Sequence, residues 1–175
     1  MHPASMFDFK SGYFRSGFIN ILKLILLFII AGCATPSIRV TTEQNRGDIY
    51  FNQHEYPEAV NHYNLMLDAS RRLGIYRNPL MESDVHRKIA NCYEMTGDYE
   101  SALSALRDAF KIDSANNYLN NLITDFRQQG KIFIYMGLNQ DGIRALEKCL
   151  SLSDGMDQSI KNVNKISIAD NYLVL

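Results

Sequence analysis

The stretch from Ala90 to Phe110 constrains the fold of this chain more than any other. Its pattern is typical of the end of one helix, a tight turn around Gly97 and the start of a second helix. Glycine adopts the left-handed conformation that ends a helix, and Asp98 can accept hydrogen bonds from the free N–H groups of the next one. Small residues at Ala90 and Ala102 indicate that the two helices approach closely. The stretch therefore predicts an antiparallel helical hairpin.

The same spacing of small and bulky residues recurs on both sides of this hairpin. In each first helix a small residue precedes an aromatic one by three positions, and in each second helix a small residue precedes a bulky one by four. These positions are Gly47–Tyr50 with Ala59–Tyr63, Ala90–Tyr93 with Ala102–Leu106, and Gly130–Phe133 with Gly142–Leu146. The small residues of successive second helices are 43 and 40 positions apart. The sequence therefore predicts three helix pairs of one kind.

This pattern resembles the tetratricopeptide repeat, whose units place small, aromatic and bulky residues at these intervals. The resemblance covers about residues 42–175 and implies an all-α fold, a right-handed superhelical solenoid of antiparallel helix pairs. We expect repeats at about residues 42–79, 80–113 and 114–153. A partial fourth is expected at 156–175, where Ala169 and Tyr172 stand three apart.

Four local features refine these expectations. The first helix is expected to start at about Thr42, and Ser114 is expected to cap the first helix of the third repeat. That helix is expected to be interrupted at Gly130. Gly142 replaces the alanine of the other two repeats, at a cost of about 1 kcal/mol in helix propensity.

Residues 1–32 are predicted to be a targeting segment. A positively charged flank precedes an almost unbroken apolar run over residues 21–30, which is too short for a permanent span and suits a signal peptide. The next residues, Ile30-Ala31-Gly32-Cys33, resemble the bacterial lipobox. The resemblance implies that diacylglycerol is attached to the Cys33 thiol and that the chain is cleaved before this residue. Residues 33–41 are predicted to be a tether.

The lipobox implies a lipid-anchored protein of the bacterial cell envelope, facing the periplasm or the outside. Ala34, not Asp, follows the cysteine, which points to the outer membrane by the sorting pattern of enteric bacteria. Acyl chains such as palmitate would hold the protein on a bilayer, since each buried CH₂ contributes about 0.8 kcal/mol. The alternatives are an ordinary secretory signal and a short uncleaved anchor.

Composition argues against several classes of function. The net charge is −1 and no basic run is present, which argues against nucleic acid as the main partner. No two of the four histidines stand three or four positions apart, and no phosphate-binding loop is found, so we expect no metal site, cofactor or enzymatic activity. Cys92 and Cys149 are expected to be buried, unpaired residues.

The first helices should line the inner face of the array. By phase, this face is expected to include Gln44, Asp48, Asn52, Arg87, Asn91, Glu94, Arg127, Lys131, Ile134 and Tyr135. Asn91, Arg127 and Lys131 resemble the carboxylate clamp of chaperone-binding repeats, which holds a peptide's C-terminal carboxylate, whereas Gln44 and Asp48 depart from it. We expect charge reversal of Arg127 and Lys131 to weaken partner binding with little effect on stability. The alternative is a solvated surface that binds nothing.

These features favour a protein–protein interaction module. As a lipid-anchored envelope scaffold or adaptor, it would bind a partner peptide or helix in its concave groove. The alternative is the N-terminal regulatory region of a larger effector, such as a caspase-like peptidase or a sensor kinase. Reading the gene past codon 175 distinguishes the two.

Overall fold

The chain was analysed as a computed structural model, which describes residues 36–154. These residues form six α-helices and no β-strand, which confirms the all-α class. The helices are α1 (Pro36–Asn52), α2 (Tyr56–Arg71), α3 (Pro79–Thr96), α4 (Tyr99–Ala115), α5 (Leu119–Tyr135) and α6 (Asn139–Ser153). A single 3-10 turn, Gly74–Tyr76, precedes α3. No helix in the described region is long and apolar enough to cross a membrane.

Consecutive helices pack as antiparallel pairs. The contacts are most extensive within α1–α2, α3–α4 and α5–α6, while α2 also packs on α3 and α4 on α5. The three predicted pairs are therefore present in the predicted order, and each pair stacks on the next.

Each pair turns at a residue with positive φ. Gly97 has φ +78°, Gly137 has φ +76°, and His54 occupies the equivalent place in the first pair with φ +62°. Asp98 caps α4, because its carboxylate accepts a hydrogen bond from the backbone N–H of Ser101 at 3.1 Å. The turn chemistry predicted for the central hairpin is thus confirmed.

Small residues mark the places where paired helices touch. A Cβ atom added to Gly130 would lie 2.7 Å from Cγ of Leu146, and one added to Gly47 would overlap the ring of Tyr63. Ala90, at the equivalent position in the central pair, is fully buried. A small residue in the first helix therefore gives space to the bulky residue that follows it by 16 positions.

The helix boundaries differ from expectation in the first and third pairs. Helix α1 begins at Pro36, not at about Thr42, so the tether predicted for residues 33–41 is wrong from residue 36 onward. Proline suits the first position of a helix, where its missing N–H is not needed, and Val40 in this extra turn is buried. Cys33, the signal segment and the expected partial fourth repeat lie outside the described residues.

The expected cap at Ser114 is also wrong. Helix α4 continues to Ala115, and the break comes at Asn117, which has φ +56°. Helix α5 then starts after Tyr118, with no side-chain cap. Gly130 does not interrupt α5, because it lies inside the helix against α6.

The buried apolar residues form two clusters. The larger one extends over the first two pairs and includes Ile132 of α5. The smaller one lies in the third pair and is built around Ile123, Ile134, Leu146 and Cys149. Cys92 and Cys149 are both buried and free, as predicted, and burial raises the pKa of the Cys92 thiol to about 11.

Candidate binding groove

Helices α1, α3 and α5 line a groove of about 750 Å³. We call it the α1/α3/α5 groove. Its walls are Gln44, Asp84, Arg87, Lys88, Asn91, Glu94, Thr124, Arg127, Gln128 and Lys131. The first helix of every pair contributes to this surface, so the regular stacking of the pairs places polar groups from three repeats along one face.

The structure brings most of the predicted groove residues together. Five of the seven candidates line the groove: Arg87, Asn91, Glu94, Arg127 and Lys131. Asn52 lines a smaller adjoining recess of about 340 Å³, which shares Lys88 and Asn91 with the groove. Tyr135 is 45% exposed, and its ring lies 5.4 Å from the Lys131 ammonium group.

One residue expected on the inner face is absent from it. Ile134 is buried, and it is so close to α6 that a Cβ atom on Gly142 would lie 2.7 Å from its Cγ1 atom. Ile134 follows Gly130 by four positions and so shares the face of α5 on which Gly130 packs against α6. The expected exposure of Ile134 is therefore wrong.

Polar contacts in the groove join neighbouring helix pairs. The Lys131 ammonium group lies 2.5 Å from a Glu94 carboxylate oxygen, and Gln128 donates a hydrogen bond to the side-chain oxygen of Asn91, also at 2.5 Å. Partial burial alone would lower the pKa of Lys131, but the hydrogen bond and charge of Glu94 outweigh it and hold that pKa above the ordinary lysine value. Amide and charged groups of α3 and α5 therefore already bind each other.

A similar contact joins the first two pairs. Lys88 lies 2.5 Å from Asp48, and the Tyr63 hydroxyl donates to the same carboxylate at 2.7 Å. Burial, followed by the hydrogen bond to Asp48, raises the pKa of the Tyr63 hydroxyl. Lys88 therefore compensates the negative charge of Asp48, a residue that departs from the carboxylate-clamp pattern. Lys88 was not predicted in the groove, because it follows Arg87 directly and lies about 100° further around the helix.

Arg87 lies on the groove wall but its guanidinium group is directed into the protein. Its Nη1 atom donates to Asp113 at 2.5 Å and to Asp125 at 3.0 Å, and Nη2 pairs with Asp84. Asp113 and Asp125 are fully buried, with 0% and 1% of their surface exposed. Arg87 therefore holds α3, α4 and α5 together, a role the sequence analysis did not predict.

The expectation that charge reversal of Arg127 and Lys131 has little effect on stability needs correction. Only 8% of the Glu94 side chain is exposed, and Lys131 is its ion-pair partner. Replacing Lys131 with Glu would place two carboxylates against each other in a partly buried position, which costs stability. The double reversal of Arg127 and Lys131 therefore cannot separate binding from folding.

The described residues provide a surface for binding and no site for metal chemistry. No group of three or more histidine, cysteine or acidic side chains between residues 36 and 154 could hold a metal ion. The groove is open, and polar side chains of α1, α3 and α5 line it. Such a surface can form hydrogen bonds and ion pairs with an elongated ligand.

Comparison with known proteins agrees with this geometry. Residues 38–115 match the family model described as tetratricopeptide repeat. The fold is similar to the crystal structure of the tetratricopeptide repeat domain of Arabidopsis FLU, with a TM-score of 0.62 and 11% sequence identity, over 69% of this chain and 99% of that one. No curated protein matches the sequence. Residues 38–115 therefore match the tetratricopeptide repeat model, and the described residues have the fold of a tetratricopeptide repeat domain.

Proposed function

We propose that this protein is a protein–protein interaction module that binds an extended segment of a partner in the α1/α3/α5 groove. The observation that supports this most directly is the alignment of amide and charged side chains from three successive repeats along one concave surface. Repeat arrays use such surfaces for binding, because their length matches that of an extended peptide or a helix. Tetratricopeptide repeats are in general a non-catalytic interaction fold.

The contacts in the groove indicate how a peptide would be held. Asn91 and Gln128 are bonded to each other, and both amides can exchange that bond for bonds to a peptide backbone. Glu94 and Lys131 offer one charge of each sign beside them. Because these groups must give up internal partners on binding, a moderate affinity is expected. A peptide with polar or mixed charges fits this groove better than an apolar one.

The two amides give a test that leaves the fold intact. Replacing both, as Asn91→Ala with Gln128→Ala, removes a donor together with its acceptor and therefore leaves neither group unsatisfied. Peptides selected from a displayed library on the full chain should bind the double variant about 5- to 150-fold more weakly, since each amide contributes about 0.5–1.5 kcal/mol. Titration calorimetry measures the change.

The matched control lies on the second helix of the first pair. Asn61 and Asn64 are exposed on α2 and outside the groove, so Asn61→Ala with Asn64→Ala makes the same chemical change elsewhere. Control and parent should bind the selected peptides equally. Equal binding by the groove variant as well would show that the peptides dock outside this groove and would refute the proposal.

We also propose that lipidated Cys33 anchors the module to a bacterial envelope membrane, which is the outer membrane if the sorting pattern of enteric bacteria applies. The support is the lipobox-like sequence Ile30-Ala31-Gly32-Cys33 after an apolar run. Cys33→Ser should abolish metabolic labelling by palmitate and move the protein from the membrane to the soluble fraction. Retention of the variant in the membrane with unchanged mobility would favour an uncleaved anchor.

A further inference from the structure

The first helices of the three pairs all start at one edge of the array. The ion pair between Asp48 and Lys88 joins the residue 12 positions after the start of α1 to the residue nine positions after the start of α3. The hydrogen bond between Asn91 and Gln128 joins α3 to α5 at the same two positions. Helices α1, α3 and α5 therefore run parallel and in register. We call the edge where they start the junction edge, because the first junction (α2 on α3) and the second junction (α4 on α5) have their connections there. The opposite edge, with the three hairpin turns, is the hairpin edge.

The junction edge exposes large apolar side chains. Ile75, in the 3-10 turn between α2 and α3, is 92% exposed. Ile38, Leu80 and Leu119, which belong to the first turns of α1, α3 and α5, are exposed by 61%, 45% and 42%. Apolar side chains grouped at one edge of a protein mark a surface that binds a partner or a membrane.

The two edges differ in charge. The junction edge carries four exposed cationic side chains, which are those of Arg39, Arg71, Arg72 and Arg77. The carboxylates beside them pair with two of these cations, Asp68 with Arg71 and Glu82 with Arg77. Arg39 and Arg72 therefore give the described part of this edge a net positive charge. The hairpin edge begins α2 and α4 with exposed carboxylates, which are those of Glu55, Glu58, Asp98 and Glu100. An anionic surface attracts the junction edge and repels the hairpin edge.

The proposed lipid anchor belongs to the junction edge as well. Helix α1 starts at Pro36, three positions after Cys33, and three residues of chain reach at most about 11 Å. The hairpin edge is separated from that point by the length of α1, which is about 25 Å. Lipidation of Cys33 therefore brings the junction edge to the bilayer and holds exposed apolar residues of the hairpin edge, such as Met95, away from it.

We propose that the junction edge binds the surface of an anionic phospholipid bilayer. Ile75 inserts at the boundary between headgroups and acyl chains, and Arg39 and Arg72 pair with lipid phosphates. The helices then stand steeply on the bilayer, and the α1/α3/α5 groove opens sideways, where a partner can reach it. The proposal rests on the anchoring through Cys33 proposed above and adds a second, protein-borne contact with the membrane.

Two labelling sites test the orientation in the full chain. Ile75→Cys at the junction edge and Met95→Cys at the hairpin edge each accept the fluorophore NBD, since Cys92 and Cys149 are buried. The parent chain, treated in the same way, gives the background. The proteins are reconstituted into vesicles of phosphatidylcholine and phosphatidylglycerol, with or without nitroxide-labelled lipid. The label at position 75 should lose about half of its fluorescence or more to the nitroxide lipid, and the label at position 95 should keep its fluorescence.

Charge variants test the requirement for anionic lipid. Arg39→Glu with Arg72→Glu, in the Ile75→Cys chain, should reduce the quenching at least about twofold, and so should vesicles of phosphatidylcholine alone. The matched control is Arg107→Glu with Arg144→Glu, which reverses two exposed arginines away from the junction edge and should leave the quenching unchanged. All four positions are exposed, so the substitutions should not affect folding.

Equal quenching at positions 75 and 95, or quenching at 75 that is unchanged by the charge reversal, would overturn the proposal. A label at 75 that is shielded from water but not quenched by nitroxide lipid would indicate a protein on this edge and would overturn it too. Palmitate labelling of Cys33 is measured on the same preparations. If palmitate is incorporated and position 75 is not quenched, the anchor stands and the junction-edge proposal alone fails. Quenching at 75 in a chain without palmitate would support the junction edge and refute the anchor.

Discussion

Gly130 and Gly142 face each other in the third helix pair, and their contact reverses the change in stability that helix propensity alone would predict for an alanine at position 142. By propensity, Gly142 costs about 1 kcal/mol relative to alanine. In the structure, a Cβ atom at Gly142 would lie 2.7 Å from Cγ1 of Ile134 and 3.0 Å from the carbonyl oxygen of Gly130. The backbone carbonyl cannot move away as a flexible side chain can. Gly142 is therefore required by the close approach of α5 and α6.

Gly142→Ala should destabilise the protein in spite of the better helix propensity of alanine. Overpacking typically costs about 1–3 kcal/mol, which exceeds the propensity gain, so a net loss of about 1 kcal/mol is expected. Urea denaturation measures the change. Ala102→Gly at the equivalent position should destabilise too, because the buried Ala102 methyl group already fits there. A higher stability of Gly142→Ala would contradict the observed helix contact.

Asp125 gives a second prediction at the residue scale. Burial raises its pKa from 3.8 to about 7, more than the opposing ion pair with Arg87 lowers it. The folded state therefore binds more protons than the unfolded state between about pH 4 and pH 7, and this contribution to stability is lost as the pH rises through 7. This group should make the free energy of unfolding about 1–2 kcal/mol larger, and the protein therefore more stable, at pH 5.5 than at pH 8.

Comparison with Asp125→Asn isolates that contribution. Burial lowers the pKa of His86, which acts in the opposite direction on acidification, but it does so in both proteins. Arg87 and Asp113 are the charged groups that act on the pKa of Asp125, and both remain in the variant. The stability difference between the two proteins should therefore change with pH. A constant difference from pH 5.5 to pH 8 would show that Asp125 in the folded protein does not titrate in this range and would contradict the prediction.

At the scale of single elements, the three hairpin turns share one backbone conformation but differ in sequence. Glycine occupies the positive-φ position in the second and third turns, and His54 occupies it in the first. A non-glycine residue in this region costs about 1–2 kcal/mol because its Cβ approaches the following carbonyl oxygen. The hydrogen bond between His54 and Tyr56 is exposed and offsets little of this cost.

His54→Gly should therefore stabilise the protein. A gain of about 0.5–1 kcal/mol is expected once the entropy of glycine in the unfolded chain is taken into account. The reciprocal change, Gly97→His in the second turn, should destabilise by a similar amount, and thermal denaturation of the pair measures both. If His54→Gly lowers the stability instead, the hydrogen bond between His54 and Tyr56 contributes more than its exposure indicates.

The sequence predicted the elements well where local chemistry determines them. The Gly97 turn, the Asp98 cap and the contact of small with bulky residues all follow from short-range rules, and all are present. Errors arose where packing decides. The start of α1 at Pro36 depends on the burial of Val40 against other helices, which no local pattern shows.

The same limit applies to the candidate site. Phase along the helices placed Asn91, Glu94 and Lys131 on one face, and they line one groove. The pairing of Glu94 with Lys131 could not be foreseen, since it depends on the spacing between neighbouring repeats. Nor could the position of the Arg87 guanidinium group, whose buried partners follow it by 26 and 38 positions. The one signal in the sequence was that Asp125 stands where the preceding repeat has the apolar Val85.

At the scale of the whole molecule, the array is not uniform along its length. The first junction contains a hydrogen-bonded group of Ser70, Glu82 and Arg77, with Arg77 partly exposed, while the second contains the more deeply buried Arg87–Asp113–Asp125 cluster. The residues equivalent to these three in the first junction are Gln44, Ser70 and Val85. In a repeat array, stability is approximately the sum of repeat and interface contributions. The third pair should therefore depend on this charged cluster for its attachment.

Arg87→Gln should destabilise the protein by about 3–5 kcal/mol, because it leaves two buried carboxylates without their cation. The loss should be concentrated in α5 and α6, whose backbone amides should exchange hydrogen faster relative to those of α1 and α2. Lys88→Gln is the control, since the Lys88–Asp48 pair is partly exposed and contributes at most about 1 kcal/mol.

The triple variant Arg87→Gln, Asp113→Ser, Asp125→Val gives the three cluster positions the residues that stand at the equivalent positions of the first junction. It removes every member of the charged cluster, so no buried charge is left unpaired, and replacement of such clusters by neutral residues is often neutral or stabilising. Its stability should recover most of what Arg87→Gln alone loses, with protection of α5 and α6 restored. If the triple variant is as unstable as the single one, the damage comes from lost packing of the Arg87 side chain and not from the unpaired carboxylates. Hydrogen exchange and urea denaturation on the parent, the single and the triple variant distinguish the two causes.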